Sequence, residues 1–164
     1  RYVKDDVELN AYRENLINIA QAKVSTSAVE GFNLGYFVEG RDKITMNKRR
    51  LIADAKERCL ALAETGYQMP TKEKDIKVLG RQALGAFKVG AHQMFEGGYA
   101  SEYEKMMVDK LGYVMSGGDL SEATHVSEQY LLDLERQTFV SLCANKNTME
   151  RIQHMLKTGK PLRN

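Results

Sequence analysis

Residues 23–37 read Lys-Val-Ser-Thr-Ser-Ala-Val-Glu-Gly-Phe-Asn-Leu-Gly-Tyr-Phe, and this stretch contains signals for both the start and the end of a helix. Ser27 and Glu30 have the spacing of a capping box, in which the hydroxyl accepts a hydrogen bond from a free backbone amide and the carboxylate reaches back toward the cap. Gly35 stands where a left-handed residue would end a helix. The pattern predicts a short helix over residues 28–34, followed by a brief apolar run.

Hydrophobic spacing predicts helices along most of the remaining chain. Apolar residues recur at intervals of three and four over residues 6–22, which predicts a first helix there. The same kinds of signal predict further helices at 51–64 and 79–96, after a capping box at Ser101 and Glu104, after Ser127, and after Asn147 with Glu150 as its capping partner. The sequence therefore predicts an all-α fold, a bundle of five or six helices.

The last two predicted helices have broad apolar faces. The helix after Ser127 carries Leu132 and Phe139 beside its main apolar stripe, which predicts burial on more than one side. In the final helix, Met149, Ile152 and Leu156 are expected to point inward.

Small side chains also give expectations about packing. Gly80, Gly85 and Gly90 are spaced by five within one predicted helix, where each glycine costs about 1 kcal/mol relative to alanine. Their presence suggests close packing against a neighbour, or a bend. Cys59 and Cys143 fall on apolar helical faces and are expected to be buried free thiols.

No chemical constellation stands out in the sequence. His92, His125 and His154 are far apart, and none has the spacing of a metal site. The glycine pairs 97–98 and 117–118 lack the preceding strand and the spacing that place a dinucleotide at a helix start. We therefore predict no catalytic residue, no metal ligand and no cofactor contact within the chain.

Composition fits a piece of a larger soluble enzyme. The net charge of +2 is too small to indicate a nucleic-acid surface. No apolar run approaches the roughly 20 residues needed to cross a bilayer, and no signal peptide is recognisable. We expect a cytoplasmic protein with no membrane span and no nucleic-acid partner, and the start at Arg1 suggests a fragment.

Two blocks of the chain resemble known enzymes. Residues 23–37 resemble the segment after the catalytic core of the crotonase (enoyl-CoA hydratase/isomerase) family, which reads Ala-x-Glu-Ala, then Leu-Gly and an apolar exit. Residues 126–143 and 149–164 resemble the end of bacterial two-function β-oxidation proteins. Those proteins join an N-terminal 3-hydroxyacyl-CoA dehydrogenase to a C-terminal enoyl-CoA hydratase-like module. The match is less distinct over residues 71–119.

The resemblance implies a division of the chain into three parts. Residues 1–68 would be the crotonase-like C-terminal helices, and residues 77–164 a helical C-terminal extension. Residues 69–76 would be a linker, in which Pro70 disfavours continuation of the preceding helix.

The same resemblance implies a parent enzyme of fatty-acid β-oxidation that uses NAD. The catalytic elements would lie upstream, so the isolated fragment is expected to be inactive and to hold no cofactor. Its role would be to cover the acyl-CoA site and to support packing against the upstream domains of the parent chain. Self-association is expected because the helices would expose an apolar patch once separated from the core they normally cover.

Basic residues near the end of the chain are the candidate substrate contacts. Lys157, Lys160 and Arg163 would contact the phosphates of coenzyme A if the C-terminal tail reaches the acyl-CoA site. The alternative interpretation of these residues is a solvated helix face. The alternative for the whole chain is a free-standing helical interaction module without chemistry.

Overall fold

The computed structural model describes residues 7–164, which form seven α-helices, one 3₁₀ turn and a two-stranded antiparallel ribbon. The helices are α1 (Glu8–Ala20), α2 (Ala28–Asn33), α3 (Leu51–Glu64), α4 (Gly80–Glu96), α5 (Glu102–Met115), α6 (Glu128–Cys143) and α7 (Lys146–Thr158). The 3₁₀ turn is Lys48–Arg50, and the strands are β1 (Ile76–Val78) and β2 (Thr124–Val126). The all-α prediction is confirmed over this part of the chain, with seven helices in place of five or six. The predicted start of the first helix at Asp6 lies outside the described residues.

Helix boundaries follow the capping signals. Ser27 accepts a hydrogen bond from the amide of Glu30 at 3.1 Å and begins α2. The Glu30 carboxylate accepts from the amide of Thr26 at 2.6 Å, one residue before the cap. Gly35 has a φ of +77° and follows the end of the helix, as predicted. The predicted bounds of α3 are also confirmed, with left-handed Gly66 two residues beyond its end.

Residues 7–22 and 72–164 form one compact unit, called here the main unit. Helix α5 lies at its centre and packs against α1, α4 and α6. Among its buried apolar residues, Leu16, Ala83 and Phe87 pack together as a core cluster. Partly buried side chains surround this core: Leu9, Tyr12, Leu79, Val108, Leu111 and Met115. Gly112 of α5 faces Phe87, and a Cβ there would come within 3.2 Å of the Phe87 side chain, so the small residue allows the two helices to approach closely.

Polar contacts hold α1 to the β-ribbon. The Tyr12 hydroxyl donates to the carbonyl of Lys77 at 2.6 Å, and Lys77 Nζ lies 2.6 Å from a carboxylate oxygen of Glu8. Partial burial raises the pKa of the Tyr12 phenol, and the negative charge of Glu8 raises it further. In the ribbon, Ile76 pairs with Val126 and Val78 with Thr124. These contacts attach the first described helix to a strand that follows it by more than fifty residues.

The start of α4 depends on a backbone shape that only glycine adopts easily. Gly80 has a φ of +62°, and a Cβ at this position would lie 2.5 Å from the carbonyl oxygen of Glu122. Its amide donates to the carbonyl of Ser116 at 3.1 Å, which joins the turn after α5 to the start of α4. The expectation of close packing is thus confirmed at Gly80. It is wrong at Gly85 and Gly90, where a Cβ would meet no atom within 4 Å.

Residues 23–71 form a second compact unit, called here the α2–α3 unit. Gly31 is its one buried residue. A Cβ at Gly31 would lie 2.6 Å from the Phe37 ring, and Phe32 meets Phe37 edge-on with ring centroids 5.5 Å apart. The predicted apolar run after α2 therefore folds back onto the helix. The predicted division at residues 1–68, 69–76 and 77–164 stays a prediction.

Several side chains that were predicted to be buried are exposed or half-buried. Each lies on a helix face for which the sequence does not show a covering neighbour. Cys59 is exposed, as is nearly all of α3, and Cys143 is only half-buried. On α6, Phe139 is 55% exposed, so that helix is buried along one face only. On α7, Met149 and Leu156 are exposed rather than inward. A helical pattern shows which residues share a face, but it does not show whether a neighbour covers that face.

The cap of α7 also differs from the prediction. Asn145, not Asn147, is the capping residue, and its side chain accepts from the amide of Asn147 at 2.9 Å. Two asparagines in a short polar stretch offer two compatible caps. The earlier one is used, and α7 begins at Lys146. Gly159, with a φ of +68°, ends α7.

Candidate functional site

A groove of about 650 Å³ lies in the main unit where the N-terminal ends of α5 and α7 meet. Nine residues line it: Ser101, Glu102, Tyr103, Lys105, Met106, Asp109, Asn145, Asn147 and Asn164. Seven of these side chains are polar or charged, and Tyr103 and Met106 add apolar surface. The groove is called here the Asp109 groove.

Local sequence signals build both ends of this groove. Ser101 and Glu104 form the predicted capping box, with the Ser101 amide donating to the Glu104 carboxylate at 2.8 Å. Asn145 begins α7 on the opposite wall. Because each cap fixes the first turn of its helix, the lining residues stand on rigid elements.

Glu104 is the centre of an ionic network beside the groove. Arg163 Nε lies 3.0 Å from one Glu104 oxygen, and Arg151 Nη2 lies 3.9 Å from the same oxygen. The hydrogen bond from the Ser101 amide, followed by Arg163 and Arg151, holds the pKa of Glu104 below its usual range, although partial burial acts in the opposite direction. The Arg151 guanidinium also lies over the Tyr103 ring, 4.8 Å from its centroid.

The C-terminal tail is anchored to this network. Arg163 donates to the carbonyl of Tyr99 at 3.0 Å as well as to Glu104. The Asn164 side chain accepts from Arg151 at 2.8 Å and donates to Glu150 at 3.0 Å. The tail therefore packs back along α5 and α7 and contributes one wall of the groove.

The predicted coenzyme A contacts fall in different environments. Lys157, in the last turn of α7, and Lys160, just beyond it, are exposed and have no acidic partner among residues 7–164. Arg163 is already paired with Glu104. Contact of these three side chains with coenzyme A stays a prediction, but Arg163 would have to exchange partners to take part.

The three histidines lie on separate elements. His92 of α4 lies 3.7 Å from Glu96, His125 is exposed on β2, and His154 is half-buried on α7. Within the described part of the chain, no three side chains of the metal-binding types lie close enough to hold an ion. No helix of residues 7–164 combines the length and the apolar character needed for a membrane crossing.

The Asp109 groove was missed by sequence reasoning. The sequence does place Glu102, Met106 and Asp109 on one face of α5, because they are spaced by four and three residues. What the sequence could not provide was the second wall, since Asn145 belongs to another helix and is placed by tertiary packing.

Comparison with known proteins gives one informative match. The chain is 42% identical over 156 residues to a probable 3-hydroxyacyl-CoA dehydrogenase of Bacillus subtilis (strain 168). The alignment covers 95% of this chain and 20% of that protein. No protein-family profile and no solved structure matches the chain. The chain thus spans about a fifth of the length of the curated relative it matches, and the similarity extends across both of its compact units.

Proposed function

We propose that this chain is the helical C-terminal part of a fatty-acid β-oxidation enzyme, an NAD-dependent 3-hydroxyacyl-CoA dehydrogenase joined to an enoyl-CoA hydratase-like module. The observation that carries the proposal is the 42% identity over 95% of the chain to a probable 3-hydroxyacyl-CoA dehydrogenase. The hydratase-like module rests on the resemblance of residues 23–37 to the segment after a crotonase core. In this proposal the dinucleotide site and the acid and base groups belong to other parts of the enzyme.

The surface of the α2–α3 unit supports a packing role within that enzyme. Val24, Met46, Ile52 and Met69 are each at least 80% exposed, and Leu60 is more than half exposed. Exposed large apolar side chains, where they adjoin one another, form the kind of surface that mediates protein–protein contacts. In our proposal this surface packs against the rest of the enzyme and helps to cover the acyl-CoA site.

Self-association of the isolated chain follows from the same exposed side chains. We expect sedimentation velocity to show a concentration-dependent dimer, weakened by Ile52→Lys and unaffected by Arg58→Ala on another face of the same helix. A monomer at every concentration would argue that these side chains are tolerated in water and need no partner.

Coenzyme A contacts can be tested on the chain itself. If Lys157 and Lys160 hold the coenzyme A phosphates, calorimetric titration with coenzyme A should show binding that Lys157→Ala and Lys160→Ala together abolish. Lys146→Ala, on an exposed residue at the other end of α7, is the control. Absence of binding would assign coenzyme A recognition to other parts of the enzyme.

A segment exchange tests the proposed function as a whole. The Bacillus subtilis relative is prepared intact, with its matching segment deleted, and with that segment replaced by this chain. NADH formation from a 3-hydroxyacyl-CoA and hydration of a 2-enoyl-CoA are then measured for each form. We expect the deletion to lose soluble protein or hydration activity, and the replacement to restore both.

The contrary results of this exchange are equally informative. A replacement no better than the deletion would remove the support for a shared role and favour the free-standing interaction module. NADH formation by this chain alone would show that catalytic groups lie within it. As a control, the same segment is replaced by an unrelated helical segment of equal length. This replacement shows whether any chain of that length restores solubility or activity.

A further inference from the structure

The segment that follows α7 is held against α5 and α7 at its far end. Arg163 donates to both carboxylate oxygens of Glu104, at 3.0 Å in each case, and to the carbonyl of Tyr99. Arg151 of α7 donates to Asn164 through two nitrogens, at 2.8 and 3.2 Å. The attachment therefore consists mainly of polar contacts made by two neighbouring residues.

Residues 160–164, called here the strap, follow a hinge. Gly159 has a left-handed backbone, and a Cβ at this position would have no atom within 4 Å. Pro161 has a fixed φ and cannot continue α7. Lys160 and Pro161 are exposed, and Leu162 is only half-buried. The strap can therefore turn about Gly159 without breaking a buried contact at the hinge.

The contacts that close the strap are individually weak. The Arg163 side chain is 69% exposed, so water and salt screen its ion pair with Glu104. Each hydrogen bond of Asn164 replaces one with water, which makes its net contribution modest. Opening also returns backbone freedom to residues 160–164. The closed and open forms therefore lie close in free energy, and a small change at Arg163 or Glu104 should shift their populations.

The surface under the strap keeps its structure when the strap leaves. The Glu104 carboxylate also accepts from the Ser101 amide, within the capping box of α5. Tyr103 and Thr148 are buried, and their hydroxyls share a hydrogen bond that joins α5 to α7. Neither contact involves the strap, so Glu104 stays in place in both forms.

Arg151 stands between two alternative acceptors. With the strap closed it donates to Asn164, and its Nη2 lies 3.9 Å from Glu104 Oε1, too far for a hydrogen bond. The Arg151 side chain is only 21% exposed, so it requires a new acceptor when Asn164 leaves. A shift of about 1 Å would bring it within hydrogen-bonding distance of Glu104.

We propose that the strap opens and closes about Gly159 as a two-state element. Arg151 donates to Asn164 in the closed form and to Glu104 in the open form. Opening withdraws Asn164 from the wall of the Asp109 groove and releases Arg163 from its carboxylate partner. The strap is thus a conformational switch that controls both the width of the groove and the availability of Arg163. This proposal is independent of the β-oxidation function.

NMR spectroscopy of the 164-residue chain measures the two populations. Arg163→Ala and Glu104→Gln each remove the ion pair, so the ratio of open to closed strap should rise up to about fivefold. The amide signals of residues 162–164 should move along one line toward their unfolded-chain positions, and their heteronuclear NOE values should fall. The double variant should open the strap little further than Arg163→Ala alone, because both changes remove the same interaction.

The Arg151 side chain reports the exchange of partners. In Arg163→Ala its Nε proton signal should change position yet remain protected from solvent exchange, because Glu104 replaces Asn164 as the acceptor. Protection should be lower in the double variant, which lacks that carboxylate. Loss of protection in Arg163→Ala itself would overturn the exchange and leave only a frayed chain end.

Lys160→Ala is the matched control. This side chain belongs to the strap and has no acidic partner among residues 7–164, so its removal should leave the populations unchanged. Unchanged signals of residues 162–164 in both Arg163→Ala and Glu104→Gln would overturn the proposal. So would a wild-type strap as mobile as an unfolded chain, since the closed form would then not be populated.

A disturbed α5 in Glu104→Gln would not leave the question open. Arg163→Ala decides in that case, because it leaves the capping box of Ser101 and Glu104 intact. None of these readouts uses the activity of the segment-exchange enzyme, so failure here and failure of the proposed function are distinguishable.

Discussion

The main unit and the α2–α3 unit obtain their helices from the same kinds of local signal, yet only one of them has an interior. Caps at Ser101 and Ser127 begin helices in the main unit, and Ser27 begins one in the α2–α3 unit. The main unit buries Leu16 and Phe87 in its core, whereas the α2–α3 unit buries one glycine. Capping therefore sets where a helix starts, and apolar burial determines how firmly it is held.

The largest expected effect tests the core of the main unit. Phe87, 3% exposed, packs between α4 and α5, so Phe87→Ala should lower the free energy of unfolding by about 3–5 kcal/mol. Urea denaturation followed by circular dichroism measures the change. Phe139→Ala is the matched control, since this phenylalanine is 55% exposed and its removal should cost under about 1 kcal/mol. Similar losses for both would contradict the assigned core.

Hydrogen exchange compares the two units directly. Amides of α3 should exchange about a hundredfold faster than amides of α5, because local opening of α3 exposes almost no additional apolar surface. Native-state exchange followed by mass spectrometry resolves the two helices. Equal exchange rates in α3 and α5 would mean that the α2–α3 unit unfolds only together with the main unit. That result would contradict the proposed difference in stability between the two units.

Two glycines of α4 should respond to alanine in opposite directions. Gly80→Ala forces a Cβ into the carbonyl of Glu122 at a positive φ and should cost about 2 kcal/mol or more. The Cβ added by Gly85→Ala would have no atom within 4 Å, so this variant should stabilise the helix by about 0.5–1 kcal/mol. Thermal unfolding of the two variants measures both changes. Stabilisation by Gly80→Ala would show that the turn after α5 does not constrain the start of α4.

The smallest expected effect concerns the ionic network that Glu104 forms with Arg151 of α7 and Arg163 of the C-terminal tail. The folded-state pKa of Glu104 is lowered, so its charge contributes stability above the unfolded pKa of about 4.3, and this contribution is lost as the pH falls through the folded value. Glu104→Gln keeps an acceptor for the Ser101 amide but loses the ion pairs with Arg163 and Arg151. It should cost about 1 kcal/mol or less at pH 7 and at low salt.

A pH series of denaturation curves checks this prediction. The difference between wild type and Glu104→Gln should shrink below about pH 4 and also with added salt. Glu135→Gln, at a side chain outside the network, should show no comparable dependence. If the free energies of unfolding of wild type and Glu104→Gln differed by the same amount from pH 3 to 7, the carboxylate would act through hydrogen bonding alone.

Sequence reasoning succeeded where a few neighbouring residues fix the structure. Ser27, Ser101 and the bounds 51–64 were predicted because a cap or a helix end depends on backbone groups within four residues. The predicted burial of Cys59 and Phe139 is wrong, because burial depends on whether a distant segment covers these side chains.

The candidate site divides in the same way. The capping box that positions Glu104 was visible in the sequence, but the approach of Asn145, Asn147 and Asn164 to Asp109 was not. The predicted tail residue Arg163 was noticed for its charge, while its partner Glu104 lies 59 residues away. Contacts across such separations depend on the whole arrangement of helices.

The contact of Glu8 with Lys77 closes a chain loop of 69 residues, and the whole α2–α3 unit lies inside that loop. The entropy lost on closing a flexible loop grows only with the logarithm of its length, so doubling the loop would cost about 0.6 kcal/mol. Docking of α1 onto residues 72–164 of the main unit is therefore nearly insensitive to the length of the intervening chain. A change in the length of residues 23–71 should therefore leave the core around Leu16 and Phe87 intact.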